Sequence, residues 1–191
     1  MKTQALVAIK ILGIMTILTG MLYPLLMTGL AQLAFPDKAN GSLIWKDGRI
    51  AGSELIGQQF DSSIYFWSRP SAANYNPLLS GGSNLGPASD KLKKLVAERR
   101  VIFMDKNYIK DPTAIPKEMI LASASGLDPH ISPESALLQV ERVVASRNFT
   151  DAQKQRLIQL IHNKTVAPQF SVLGERRINV FELNLDLDNI R

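Results

Sequence analysis

The sequence of 191 residues contains no cysteine and only two histidines. Without cysteine the chain cannot form a disulfide, a thiolate metal site, a catalytic thiol or a thiol redox switch. The histidines, His130 and His162, lie far apart and form neither an H-x-x-x-H nor an H-E-x-x-H pattern. The sequence therefore predicts no metal site.

An excess of one charge is also missing. Lys and Arg number 22 and Asp and Glu number 17, which gives a net charge of +5. This excess is too small to indicate a nucleic-acid partner. The G-x-S-x-G elbow of hydrolases is absent as well, although Ser125, Asp128 and His130 have the residue types of a hydrolytic triad. Residues this close in sequence need not converge, so we predict no catalytic residues.

A long stretch without any charged residue runs from Ile11 to Phe35. As a helix, this stretch would extend about 37 Å at about 1.5 Å per residue, enough to cross a hydrocarbon core of about 30 Å. Pro24 near its middle predicts a kink, because proline removes a backbone donor. A cleaved signal peptide, with Gly29-Leu30-Ala31 as the cleavage pattern, is the alternative, but the apolar run is longer than a signal core. We therefore predict a membrane-spanning helix.

The charges that flank this helix predict its orientation. Lys2, Lys10 and the amino terminus precede the helix, whereas Asp37 and Lys38 follow it and nearly cancel. The positive-inside rule then places the amino terminus in the cytoplasm. We expect residues 1–36 to form the cytoplasmic end and the transmembrane helix, and residues 37–191 to form one extracytoplasmic domain of ordinary size.

The pattern of that domain indicates a mixed α/β fold with about three helices and a small sheet. Strand signals occur at a hairpin around Asp47-Gly48, at Tyr65–Trp67 before Pro70, and in the tail, where Phe181 to Leu187 alternate with polar residues. The opposite parity of Ile178 and Val180 suggests a bulge in the tail strand. The periodicity and capping residues predict helices over 90–100, 133–146 and 150–163, the last with a Thr150–Gln153 capping box.

The segment 71–88 has no charge and is rich in Asn, Ser, Gly and Pro, which indicates an ordered loop rather than a regular element. Gly81 and Gly86 have the spacing of the glycines of a P-loop, but Pro87-Ala88 replace the lysine and the hydroxyl residue. Leu79 to Ser83 also resembles the LSGGQ signature of ABC transporters. A weak nucleotide-binding site at Ser80, Gly81, Gly82 and Ser83 is one hypothesis, and a turn that needs glycine is the other.

Four blocks of sequence together resemble the C subunit of the Kdp potassium-transporting ATPase. They are Gly52–Gln58, Tyr65-Phe66 with Arg69-Pro70-Ser71-Ala72, Ser80–Pro87, and Ser123–Pro133. The motif residues of this resemblance are Arg69, Pro70, Ser71, Asn84, Gly86, Pro87, Gly126, Asp128, Pro129 and His130. The similarity covers almost the whole chain, including the N-terminal span and the tail. Ala88 and Leu121 stand where the family often has threonine.

The resemblance implies a non-catalytic subunit of a membrane complex that imports potassium. In that complex a channel-like A subunit conducts potassium, a P-type B subunit hydrolyses ATP, and a small F subunit stabilises the assembly. The C subunit would be needed for assembly and stability, with its exported domain over the outer potassium entrance. Consistent with a partner role, the chain has no D-K-T-G-T phosphorylation motif and no T-V-G-Y-G filter.

The alternative implied by the resemblance is a catalytic chaperone. In this reading the LSGGS loop would raise the affinity of the B subunit for ATP, and ATP would be the one bound cofactor; otherwise none is expected to be held firmly. The resemblance also makes the span a binding surface, at which Gly13, Gly20 and Gly29 would allow another helix to approach closely. We expect a single-pass protein of the cytoplasmic, or inner, membrane.

Overall fold

The structure, a computed structural model, describes residues 2–190. These residues form two compact units that divide between Ser53 and Glu54. The first unit begins with one long helix, Lys2–Ala34, which is long and apolar enough to cross a membrane. It consists of α1 (Lys2–Ile17), a π-helical turn (Leu18–Leu22) and α2 (Tyr23–Ala34), and no side chain in it is buried.

The π-helical turn ends two residues before Pro24. Because Pro24 has no backbone N–H, the regular ladder loses a donor at this position, and the chain adopts a wider turn in which the N–H of Tyr23 donates to the carbonyl of Leu18. The hydroxyl of Thr19 also donates to the carbonyl of Met15 at 2.7 Å. The disturbance expected at Pro24 thus takes the form of a π-helical turn.

A short helix and a hairpin complete the first unit. After α2 the chain forms one helical turn, α3 (Pro36–Ala39). The predicted hairpin is confirmed as β1 (Leu43–Lys46) and β2 (Arg49–Ser53), which pair antiparallel. Asp47 and Gly48 both have positive φ, 52° and 74°, as the two-residue turn of a twisted hairpin requires.

The second unit is mixed, as predicted. Its helices are α4 (Asp90–Lys106), α5 (Pro133–Leu137), α6 (Val140–Arg147), α7 (Asp151–Lys164) and α8 (Val180–Leu187). A small antiparallel sheet joins β3 (His130–Ile131) to β4 (Ile178–Asn179). Short 3-10 turns occur at Pro77–Leu79, Pro112–Ala114 and Lys117–Met119. The core includes the fully buried side chains of Phe66, Val143, Leu157, Ile161, Ile178 and Leu183.

Two of the predicted helices differ in extent and one is confirmed closely. The helix predicted over 90–100 continues to Lys106. The helix predicted over 133–146 is two helices, because the chain makes a turn at Leu138 and Gln139 between α5 and α6. Helix α7 has the predicted capping box, with the hydroxyl of Thr150 and the side chain of Gln153 each satisfying a backbone N–H.

The strand predicted for the tail is wrong. After the two residues of β4, the chain enters α8, and four of its five buried residues, Val180, Leu183, Asn184 and Leu187, follow the helical spacing i, i+3, i+4, i+7. The side chain of Asn179 caps the new helix by accepting from the N–H groups of Phe181 and Glu182. The change of parity at Val180 therefore marks the start of a helix and not a bulge.

The strand predicted at Tyr65–Trp67 is also wrong, although Phe66 is fully buried. No strand pairs with this segment in the described part of the chain. Instead, the side-chain amide of Asn184 pairs with the backbone of Phe66, and that of Gln139 pairs with the backbone of Trp67. Two amide side chains satisfy the backbone groups that a neighbouring strand would otherwise bond.

Candidate functional site

Three of the sequence blocks that carry the resemblance meet in the second unit. We call this region the loop junction and define it as residues 69–75, 80–82 and 123–130. The hydroxyl of Ser71 donates to the carbonyl of Gly126 at 2.7 Å, and the N–H of Ser123 donates to the carbonyl of Pro70 at 3.1 Å. Residues that are distant in sequence are therefore held together mainly by backbone groups.

The ion pair between Arg69 and Asp128 links two of the three segments. Arg69 Nη1 lies 2.7 Å from Asp128 Oδ2, and the backbone N–H of His130 donates to Asp128 Oδ1 at 3.0 Å. Burial of Asp128 opposes its ionisation, but the contacts from His130 and Arg69 outweigh it and hold the carboxyl pKa below its ordinary value. Asp128 is therefore a charged structural link at neutral pH.

Tyr75 is a residue of the loop junction that the sequence did not single out as a site. Its hydroxyl donates to the carbonyl of Arg69 at 2.5 Å, and its N–H donates to the hydroxyl of Ser71 at 2.9 Å. Burial raises the pKa of Tyr75 to about 12, so the hydroxyl keeps its proton. Tyr75 has a φ of 56°, which is uncommon for a bulky residue. Its two hydrogen bonds hold this backbone conformation.

Two glycines are required by close approach at the loop junction. A Cβ on Gly57 would lie 2.6 Å from the carbonyl oxygen of Asp128. Gly126 has a φ of 71°, and a Cβ there would lie 3.0 Å from the carbonyl oxygen of Gly81. No larger side chain fits at Gly57 unless the backbone shifts, since the contact is with backbone atoms.

The LSGGS segment packs on residues 124–126. The hydroxyl of Ser80 and the N–H of Gly81 both donate to the carbonyl of Ser125, at 3.1 Å and 2.8 Å. A Cβ on Gly82 would lie 3.3 Å from the carbonyl oxygen of Ala124. The close packing of the loop on residues 124–126 explains why glycine is present at these positions. The N–H of Gly81 already donates to the carbonyl of Ser125. Nucleotide binding at Ser80 to Ser83 remains a prediction.

The remaining motif residues form turns and hydrogen bonds that connect the loop junction to neighbouring helices. The carbonyl of Pro129 accepts from the N–H of Val180 at 2.9 Å, which ties the loop junction to the start of α8. Asn84 has a φ of 52°, and the carbonyl of Gly86 accepts from Ser89 at 3.0 Å, so the segment that contains Pro87 turns into α4. The side chain of His130 is 37% exposed, with Nδ1 3.6 Å from Asp128 Oδ1.

The residue types of a triad do not assemble in this region. The hydroxyl of Ser125 accepts from the N–H of Leu127 at 3.1 Å, which is a local turn contact, and Asp128 pairs with Arg69. Among residues 2–190, no hydrogen bond joins Ser125 to His130, and no group of three metal-ligating side chains is present.

The loop 71–88, which is attached to the loop junction, presents two leucines to solvent. Leu78 and Leu79 are 89% and 67% exposed and lie in the 3-10 turn between the attached points Ser71 and Gly81. The side chain of Asn76 fixes the turn by accepting from the N–H of Leu78 at 3.0 Å. The uncharged loop 71–88 therefore holds two exposed apolar side chains in one position.

Comparison with known proteins identifies the family that this arrangement represents. The sequence model of the family described as "KdpC: K+-transporting ATPase, c chain" matches residues 5–189. A "Potassium-transporting ATPase KdpC subunit" of Burkholderia ambifaria is 47% identical over 191 residues, covering 98% of this chain and 97% of that protein. A protein of the same description from Mycobacterium tuberculosis is 44% identical, and the alignment covers 100% of both chains. Another, from Dechloromonas aromatica, is 43% identical, and the alignment covers 100% of this chain and 99% of that protein.

Proposed function

The chain belongs to the KdpC family of c chains of K+-transporting ATPases. We propose that it is the non-catalytic subunit that assembles the transporter and covers the outer potassium entrance. Its partners are the channel-like A subunit, the ATP-hydrolysing B subunit and the small F subunit. The helix Lys2–Ala34 anchors the chain, with the amino terminus in the cytoplasm and the domain outside.

The covering role is supported by one observation, that the loop 71–88 contains no charged side chain. A surface that contacts the entrance of a cation pathway does better without cations, which would repel potassium, and without carboxylates, which would retain it. The loop has neither, and its attachment to residues 123–127 holds Leu78 and Leu79 in one position. A fixed apolar projection loses little conformational entropy when it docks.

Substitution of both leucines tests this contact. In the Leu78→Asp/Leu79→Asp chain, we expect the A subunit to be lost from the complex during purification and potassium uptake to fail at low external potassium. Val172→Asp is the matched control, because Val172 is 80% exposed on a different loop. Equal recovery of the A subunit with the unchanged chain, the double variant and the Val172→Asp control would refute the covering role at this loop.

The span gives a second test of assembly. Leucine at Gly13, Gly20 or Gly29 adds bulk where nothing in the chain lies within 4 Å of a Cβ. We expect weaker recovery of the other subunits with unchanged membrane insertion, because small residues allow helices to pack closely in lipid. Met15→Leu, which adds no bulk, is the control. Full recovery of the complex with all three glycine variants would reduce the helix to a tether.

The chaperone alternative makes a different prediction. If the LSGGS loop acts on the B subunit, the loop must face the cytoplasm, and Gly82→Val should lower the apparent ATP affinity of the assembled complex. Under the proposed topology, a reporter fused after the last residue is active only outside the cytoplasm, and the same variant leaves the ATP affinity unchanged. The reporter decides the topology and the ATP titration decides the mechanism.

A further inference from the structure

The hairpin of the first unit carries an apolar pair that is largely exposed. Trp45 of β1 and Ile50 of β2 are register partners, and they are 63% and 54% exposed. A cross-strand pair of this size is usually a packing element of a sheet. Here the sheet has two strands, β1 and β2, so the pair faces the surroundings of the protein.

Two cations come next to this pair along the hairpin, on its opposite face, because successive side chains of a strand alternate between the two faces. Lys46 and Arg49 are the next register partners along the hairpin, on either side of the turn formed by Asp47 and Gly48. Tryptophan is enriched at the level of lipid headgroups, and lysine and arginine there are attracted to anionic phospholipids. The hairpin thus combines an apolar pair and a cationic pair in the arrangement that suits the surface of a bilayer.

The hairpin is also tied to the end of the helix that spans the membrane. Only residues 35–42 separate Ala34 from Leu43, and α3 shortens that connection further. The side-chain amides of Gln32 and Asn40 bond each other at 3.1 Å and 3.2 Å, and the hydroxyl of Ser53 donates to the carbonyl of Gly41 at 2.7 Å. Both ends of the hairpin are therefore fixed close to the last turns of α2.

We propose that the hairpin β1–β2 is an interfacial anchor that lies in the headgroup layer of an anionic bilayer and sets the depth of the span. The helix Lys2–Ala34 is about 50 Å long at about 1.5 Å per residue, whereas the hydrocarbon core is about 30 Å thick. A helix with this excess length can slide or tilt. Insertion of Trp45 and Ile50, with Lys46 and Arg49 at the phosphates, selects one depth.

The absence of cysteine allows a direct test in the full chain, reconstituted in vesicles of phosphatidylcholine and phosphatidylglycerol. A bimane label on Ile50→Cys reports contact with lipid through quenching by brominated acyl chains. Leu78→Cys is the matched control, since Leu78 is exposed on the second unit. We expect strong quenching at Ile50→Cys and little at Leu78→Cys.

The cations and the tryptophan give separate readouts. Lys46→Gln and Arg49→Gln should each lower the ratio of inserted to exposed label by about fivefold, and omission of phosphatidylglycerol, which removes the attraction of both cations, should lower it by about 25-fold. Trp45→Ser should move a second label, placed on Leu33→Cys, to a different depth. Trp45→Phe keeps an aromatic ring and serves as the control for folding of the hairpin.

Two results would overturn this inference. One is an Ile50→Cys label that brominated lipid does not quench and that aqueous quenchers reach whether or not the other subunits are present. The other is an Ile50→Cys label that lipid never quenches and that becomes inaccessible to aqueous quenchers only when the other subunits are present, which would assign the hairpin to a protein contact. Neither result depends on the role of the loop junction, so the inference and the proposed function fail separately.

Discussion

Asn184 pairs with both backbone groups of Phe66 through one side-chain amide. Its Oδ1 accepts from the N–H of Phe66 at 2.8 Å, and its Nδ2 donates to the carbonyl of Phe66 at 2.9 Å. Asn184 is 2% exposed and Phe66 is fully buried, so water does not replace these bonds. Helix α8 therefore holds the segment that leads into the loop junction at Arg69.

Asn184→Ala should destabilise the domain by about 2–4 kcal/mol, because it leaves a buried donor and a buried acceptor of Phe66 unpaired. Chemical denaturation of the detergent-solubilised chain measures the change. Asn184→Asp is the informative control: it keeps the acceptor for the N–H of Phe66 but loses the donor to the carbonyl. A loss below about 0.5 kcal/mol for the alanine variant would contradict this account.

Arg142 should not be replaceable by lysine. Its guanidinium is 2% exposed and donates to the carbonyls of Ser63 and Tyr65 and to the side-chain oxygens of Asn107 and Gln139. Burial lowers the pKa of Arg142 to about 10. Lysine has no planar fork, so Arg142→Lys leaves several acceptors unpaired and should cost about 2–4 kcal/mol of unfolding free energy.

The same measurement on Arg156→Lys provides the surface control for Arg142→Lys, because Arg156 is exposed. We expect a change within about 0.5 kcal/mol for this variant. A loss for Arg142→Lys as small as the loss for Arg156→Lys would show that the buried contacts of Arg142 contribute little. A thermal melt followed by near-ultraviolet circular dichroism would also report Trp67, whose ring lies 4.2 Å from the guanidinium carbon of Arg142.

The pair of Asp128 and Arg69 should contribute to stability in a pH-dependent way. The pKa of Asp128 in the folded chain is below its ordinary value of 3.8, so the unfolded state binds the proton more readily. The contribution is complete above the ordinary value and is lost as the pH falls through the lowered folded value. Asp128→Asn should remove this part of the acid dependence and cost about 1–3 kcal/mol at neutral pH.

Melting temperatures from pH 7 down to the acid transition would test the role of Asp128. Asp111→Asn is a useful comparison, because hydrogen bonds from Thr113 lower the pKa of Asp111 too, while the side chain lies on an exposed turn. If the Asp128→Asn chain kept the same acid dependence as the natural sequence, the ion pair would not be the source of it.

Gly57→Ala should disturb the loop junction, whereas Gly86→Ala should not. A Cβ at Gly57 would meet the carbonyl oxygen of Asp128 at 2.6 Å, but nothing lies within 4 Å of a Cβ at Gly86. We expect a loss of about 1–3 kcal/mol for the first variant and little change for the second. Differential scanning calorimetry of both chains checks the contrast, and equal melting temperatures would refute it.

Local signals predicted the elements whose stability is local. The hairpin at Asp47-Gly48 and the cap of α7 at Thr150 depend on residues close in sequence, and both are confirmed. The segment Tyr65–Trp67 was mistaken for a strand, because its backbone partners are side chains more than 70 residues away. The periodicity of hydrophobic residues does not predict a hydrogen-bond partner so far away in the sequence.

The tail was mistaken for a strand although a helical signal was present. Val180, Leu183 and Leu187 have helical spacing, and Asn179 is a favourable cap, but the stronger alternation from Phe181 to Leu187 concealed them. At the loop junction, the sequence indicated the residues through family resemblance and could not show that they meet. Their convergence depends on hydrogen bonds from the hydroxyl of Ser71 and the N–H of Gly81 to the backbone carbonyls of Gly126 and Ser125, which leave no pattern in composition.

The π-helical turn at Leu18–Leu22 divides the span into two halves with different rotational phase. Each π-helical turn holds more residues than an α-helical turn, so the residues after it are rotated about the axis relative to a regular helix. A helical wheel drawn through the whole span would therefore misplace Gly29 relative to Gly13 and Gly20. If the span packs against helices of other subunits, as proposed, they would meet two short faces one after the other along the axis, and a mutation that regularised the helix would rotate one face away while leaving every side chain chemically intact.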